Sequence, residues 1–246
     1  MNKFVLIGTL FAVQSSFGSL ILTSPIAVTG TGLGTEPTLL TIQSAGSSST
    51  EAGCVGATSA QTGTSFNTSG VCTGASGDVL TGASQIGPQS LAAAGITTAS
   101  TFGIVFNAAE PAGDSITLTG LTASFYSSTG TFLYQTSGFS CAGLGATCTF
   151  PSTNTGTGKS GFLFTLDTAQ QNAANSAGAF SSTSNLVGLS ASATNATGGN
   201  ETFYLANISG SGGGGGGQVP EPGTMMLTGG VLVGLGSLLK KKVVRN

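Results

Sequence analysis

Ser115–Gln135, SITLTGLTASFYSSTGTFLYQ, is the stretch whose reading decides the fold. Ile116 and Leu118 alternate with threonines, which is the period of a strand with one face buried. The phase then shifts to Leu121, Ala123 and Phe125, and Gly120 stands at the shift, where a β-bulge is expected. Ser127–Gly130 carries turn residues, and Phe132 and Tyr134 resume the alternation. The whole reads as an antiparallel hairpin over Ser115–Tyr126 and Thr131–Gln135.

The same period recurs on both sides. Leu39–Gln43 and Asp78–Thr81 read as short strands. Phe102–Asn107 places Ile104 and Phe106 on one face, and Gly161–Leu166 does so with Phe162, Phe164 and Leu166. In Leu186–Ala193 the residues Val187, Leu189 and Ala191 oppose Ser190 and Ser192. Glu201–Ile208 closes the series with Phe203 and Leu205. Two short helical pieces interrupt it. Asp167-Thr-Ala-Gln170 has the spacing of a capping box ahead of Gln171–Ala177. Pro88 opens and Gly95 ends a second piece over Gln89–Ala94. Eight or nine strands separated by Gly, Ser and Thr predict an all-β fold: an antiparallel, jelly-roll-like β-sandwich over 29–208, with one or two short helices.

Composition limits what such a domain can bind. Charged residues make up 6% of the 246, against about 25% in ordinary soluble domains. Between Ser19 and Gln218 there are seven acids and one base, Lys159, a net charge of −6. That balance excludes a nucleic-acid partner, which requires a basic surface. The chain has no histidine, so neither a Ser-His-Asp nor a Cys-His arrangement is available. Gly158-Lys159-Ser160 lacks the first glycine of a phosphate-binding loop, because position 153 is Thr. Paired carboxylates for glycoside hydrolysis would have to come from Glu110 with Asp114, or Asp78 with Glu201. Glu110–Asp114 reads more simply as a polar turn before a strand. No enzyme activity, cofactor or metal is expected. Were an ion held, calcium on Asp78, Glu110, Asp114 and loop carbonyls would suit these donors.

The two ends point to export. Met1–Gly18 has the layout of a secretory signal peptide: Lys3, an uncharged apolar run over Phe4–Val13, and small residues at Ser16 and Gly18 before a cut. A cut as late as Ala27 also fits. Signal peptidase and the general secretion machinery are the partners this implies. Four cysteines in an exported chain suggest disulfides; of the three connectivities, local spacing favours Cys54–Cys72 and Cys141–Cys148. Residues 209–218 read as a glycine-rich tether.

The last 28 residues, VPEPGTMMLTGGVLVGLGSLLKKKVVRN, join a Val219-Pro220-Glu221-Pro222 motif to an uncharged run over 223–239 and a basic cluster, Lys240, Lys241, Lys242 and Arg245. Seventeen helical residues span roughly 25 Å, short for a membrane core but enough with tilted or thinned lipid around it. The basic cluster would stay cytoplasmic. This tail resembles the PEP-CTERM sorting signal, with Val219, Pro220, Glu221, Pro222, Thr224 and Leu227 on motif positions. Gly223 and the lysines depart from the commoner Ser/Thr and arginines. The resemblance implies an exosortase-type membrane enzyme as partner. It also implies transient anchoring by the C-terminal transmembrane helix, and delivery to the cell surface, an extracellular matrix or a biofilm. Asn195–Tyr204 and Gly156–Phe162 are also similar to segments of uncharacterised PEP-CTERM proteins with β-rich exported parts. The expected function is a non-enzymatic exported surface or matrix protein. The alternative is a module that binds extracellular polysaccharide or calcium.

Overall fold

The computed structural model describes residues 19–24, 37–44, 49–75, 77–82, 84–111, 113–142, 147–151 and 161–209. The expected signal peptide, the tether, the sorting tail with its span 223–239, and Lys159 lie outside the described residues. Among the described residues no helix is long and apolar enough to cross a membrane.

The described chain is mostly β, with antiparallel pairing almost throughout, and it builds two large sheets. The first contains β1 (Leu20–Ser24), β2 (Thr38–Ile42), β8 (Phe102–Asn107), β11 (Phe139–Ser140), β13 (Phe162–Leu166) and β15 (Glu201–Asn207), in the order β11-β1-β13-β8-β15-β2. Only β1 and β11 run parallel within it. The second runs β10-β9-β14-β3-β4, where β3 is Thr50–Val55, β4 Thr62–Gly63, β9 Ser115–Tyr126, β10 Phe132–Gln135 and β14 Leu186–Thr194. β12 (Thr149–Pro151) pairs with β9, and β7 (Gln89–Ser90) pairs with β14. A small hairpin, β5 (Ser65–Phe66) with β6 (Cys72–Thr73), stands beside them.

One apolar cluster serves both sheets. Leu20, Leu39, Ile104, Phe164 and Phe203 enter it from the first, and Val55, Leu121, Phe125, Val187 and Leu189 from the second. Aromatic rings join the layers. Phe106 stacks on Phe203 within its sheet at 4.9 Å and meets Phe150 of the other sheet edge-on at 5.3 Å. Phe102 meets Phe125 at 5.1 Å. Each such buried ring contributes about 1.5–3 kcal/mol by removal from water.

The hairpin expected over 115–135 is present. Ser127 N–H donates to Thr131 O, and Gly130 N–H to Ser127 O, with Gly130 at φ 86°. The bulge is present too: β14 steps from Gly120 to Leu118 between Ser192 and Ala193, leaving Thr119 over. A Cβ at Gly120 would lie 2.6 Å from Ser192 Oγ, which is why glycine suits the shift. The disulfides Cys54–Cys72 and Cys141–Cys148 are formed, with Cα separations of 5.9 and 5.4 Å. The first fastens β6 to β3.

Asp167 caps α1 (Thr168–Ser176), accepting from Gln170 N at 2.8 Å. Its other carboxylate oxygen accepts from Ser19 N, and its own N–H donates to Ser19 O, so the start of β1 is tied to the helix cap.

Three expectations are corrected. Asp78–Thr81 is no strand; Val79 makes one isolated bridge to Ile42, and the Asp78 carboxylate is engaged by Ala52 N–H. Of Gln89–Ala94 only Leu91–Ala94 is helical, as one 3-10 turn capped by Ser90 Oγ and ended by Gly95 at φ 66°. The ordered sheet also begins at Leu20, not Thr29: Leu20 and Leu22 are buried in the core, and Leu20 N–H donates to Gly138 O.

That last point separates the two candidate cuts. A chain beginning at Ser19 keeps β1, whereas one beginning at Val28 loses two buried leucines, on the order of 3–6 kcal/mol. Urea unfolding of the two versions is expected to show a clearly lower midpoint for the shorter; equal midpoints would contradict the role assigned to β1.

Candidate functional site

At one end of the two sheets, three glutamates are drawn inward. Glu201 opens β15 in the first sheet, opposite Ile42. Glu51 lies near the start of β3 in the second, opposite Ala193. Glu110 follows β8. None is more than 3% exposed, and Glu201 is wholly buried.

The turn between β14 and β15 brings them together. Asn195 takes a left-handed φ of 63°, a conformation asparagine tolerates better than most residues. Ala196 N–H then donates to Ser49 O at 3.1 Å, tying the turn to the approach to β3. Thr197 N–H donates to Glu110 Oε2 at 2.9 Å, and its hydroxyl reaches the same oxygen. At Gly199 the turn lies on the backbone of Ala109: an added Cβ would sit 1.8 Å from Ala109 O, so glycine alone permits the approach. Glu51 is held by Ser44 N–H, 2.8 Å from its Oε1.

The electrostatics at this end are set by burial and by the acids' effect on one another. The six basic residues of the chain all fall outside the described residues. With all carboxyls written as ionised, both oxygens of Glu201 and Oε2 of Glu51 have no donor among the described residues. The Glu201 carboxyl is held well above the usual carboxylate range, first by burial, then by hydrogen bonding to and repulsion from Glu51, then by the charge of Glu110. A proton between Glu201 and Glu51 turns their repulsion into a hydrogen bond.

The acids singled out in sequence fall differently. Glu110 and Asp114 do meet, through Thr197, whose hydroxyl is 3.0 Å from Asp114 Oδ2. They flank the expected turn, in which Asp114 N–H donates to Pro111 O. Asp78 does not join them; its carboxylate accepts from Ala52 N–H at 2.9 Å, and the partner of Glu201 is Glu51 instead. Sequence gives no sign of Glu51 as that partner, because the stretch around it is rich in Gly, Ser and Thr and lacks a strand's alternation. Among the described residues no group of three or more acidic or cysteine side chains is placed so that it could hold a metal ion. The expected sorting motif over 219–224 and the basic cluster Lys240, Lys241, Lys242 and Arg245 lie outside the described residues.

No protein-family model matches the chain, and neither a curated protein nor a solved structure does.

The raised affinity of Glu201 for its proton sets a direction for stability. Between the ordinary glutamate value of 4.5 and the higher folded value, the folded chain holds a proton that the unfolded chain has released. The contribution of Glu201 is therefore complete below the ordinary value and is lost as pH rises through the folded one. In chelator-treated buffer, the unfolding midpoint is expected to fall between ~pH 5 and ~pH 8. Glu201→Gln, which needs no proton to stay neutral, is expected to flatten that slope and raise the midpoint at ~pH 8 by the equivalent of about 1–3 kcal/mol. A wild-type slope retained in the variant would contradict the assignment.

Proposed function

We propose that the chain is a non-enzymatic exported protein of the cell surface or extracellular matrix, delivered by an exosortase-type sorting system. In this reading its two sheets form a jelly-roll-like β-sandwich. The observation that carries the proposal is the order of residues within Val219–Asn246: a Pro-Glu-Pro motif, an uncharged run of 17 residues, and a basic cluster. The run and cluster halt the chain in the membrane with the motif just outside. Pro220 and Pro222 favour extended backbone there, which a processing enzyme can grip.

Two features of the folded part support export. Four cysteines are paired in two disulfides, the state favoured in an oxidising compartment. Ser19–Gln218 carries seven acids and one base, a balance that supplies no basic surface for nucleic acid or anionic lipid. The carbohydrate-binding alternative has less behind it. Among the described residues the one large apolar side chain that is exposed is Val71, so no aromatic ring is offered as a platform for sugar.

Glu221 is the one acidic residue in the tail. Glu221→Ala is expected to insert normally, since the apolar run and lysines are unchanged, but to escape processing. With the sorting enzyme co-expressed, wild type should reach the external fraction in shortened form, while the variant accumulates at full length in membranes. Wild type that stays full length and membrane-bound beside an active enzyme would sink the proposal.

A further inference from the structure

Strand alternation sends Val55, Leu189, Ala123 and Phe125 into the core. Cys54, Ser190, Ser124 and Tyr126 therefore face the other way, on the outer side of the second sheet. That side of a two-layer fold ordinarily meets water. Here Cys54 and Ser124 are wholly buried, Tyr126 is 1% exposed, and Ser190 is buried as well. The β5–β6 hairpin lies over them. β5 packs against β3 and β14. The Tyr126 hydroxyl donates to Gly70 O. Gly70 rests on the Phe132 ring, where an added Cβ would be 2.7 Å from a ring carbon.

The cover itself is weakly built. The hydrogen bonds of residues 64–74 are largely its own: Thr64 N–H to Thr73 O, Asn67 N–H to Val71 O, and Ser69 and Val71 N–H to Asn67 Oδ1. None of its side chains is in the core cluster of the described residues, and Val71 is 40% exposed. A two-stranded hairpin alone is marginally stable in water. The covalent tie is the bond from Cys72, in β6, to Cys54, in β3. The chain is anchored on either side of the hairpin. Gly63 pairs with Cys54 in β3, and Asp78 N–H donates to Ala52 O. Gly74, at φ 90°, lies between the hairpin and the second anchor.

We propose that the Cys54–Cys72 disulfide is a redox clasp on this hairpin. Oxidised, it holds residues 64–74 shut over the outer face of the second sheet. Reduced, it lets them move away between the two anchors and uncovers Tyr126, while the two sheets stay folded. Opening is thiol–disulfide exchange with an external dithiol. One thiolate of the dithiol attacks Cys72 Sγ, on the half-buried member of the pair, and a mixed disulfide forms. Cys54 leaves as a thiolate and takes up a proton. The second thiol of the reagent then displaces Cys72, so the reagent ends as a disulfide and the protein as two thiols. Closing reverses these steps with an external disulfide as oxidant. A reducing compartment thus keeps the hairpin open, and an oxidising one shuts it. The clasp does not depend on the sorting tail.

The test removes the clasp from the full-length chain in two ways. One is Cys54→Ser/Cys72→Ser. The other, which guards against misfolding of that variant, adds dithiothreitol to folded Cys141→Ser/Cys148→Ser protein, where the clasp is the one disulfide left. Amide exchange is read by NMR in both, and nitration of Tyr126 by tetranitromethane in the first. Without the bond, the Thr64 and Asn67 amides are expected to exchange roughly a hundredfold faster or more, while those of β8 and β15 keep their wild-type rates, the pattern of local opening. Tyr126, unreactive in wild type, is expected to be nitrated. Oxidised glutathione is expected to restore slow exchange in the second protein. Hairpin amides that stay protected without the bond would overturn the proposal. Exchange that rises equally in β8 and β15 would also overturn it, since the bond would then hold the whole fold and not the hairpin.

Discussion

The burial of Glu201 against Glu51 and Glu110 is the constraint on which one end of this fold depends. Elsewhere the structure is that of a sparsely charged, glycine-rich chain, with leucines and phenylalanines inward and hydroxyl groups outward. At this end, carboxylates from both sheets and from the segment after β8 are brought together without a cation among the described residues. A proton held by Glu201 relieves the repulsion between the acids there. Stability is thereby coupled to the medium around the protein, which the aromatic core by itself would not do.

The core supplies the rigidity that makes such an arrangement tolerable. Phe106 is stacked on Phe203 and touches Phe150, so β8, β15 and β12 are locked together close to Glu110 and Glu201 in sequence. Gly199 then allows the turn before β15 to rest directly on Ala109. A carboxylate held by a loose loop would turn to solvent; one held between packed rings and a glycine contact cannot do so without parting the strands.

Much of the fold was legible because the alternation was clean. Ser115–Tyr126 and Phe102–Asn107 are strands over the residues expected, and the phase shift at Gly120 is a bulge. Asp167 caps its helix. What escaped were strands whose pattern is masked by composition. β3 reads Thr-Glu-Ala-Gly-Cys-Val, which shows no clean alternation, although Cys54 and Val55 are fully buried. β1 was hidden by its closeness to the apolar signal segment. β4, β5 and β6 are two-residue strands, set by pairing partners and the Cys54–Cys72 bond more than by local preference. The carboxylate site escaped for the same reason. Glu51, Glu110 and Glu201 are far apart in the chain and follow no motif; only the pairing of β15 with β2 and of β3 with β14 brings them to one end.

The most direct measurement is carbon NMR of the full-length chain with its five glutamate side-chain carboxyls labelled. In metal-free buffer at ~pH 7, one signal is expected to remain at the protonated position, far above the pH at which an ordinary glutamate ionises. Glu201→Gln is expected to abolish it. Five signals that all titrate in the ordinary carboxylate range would contradict the account.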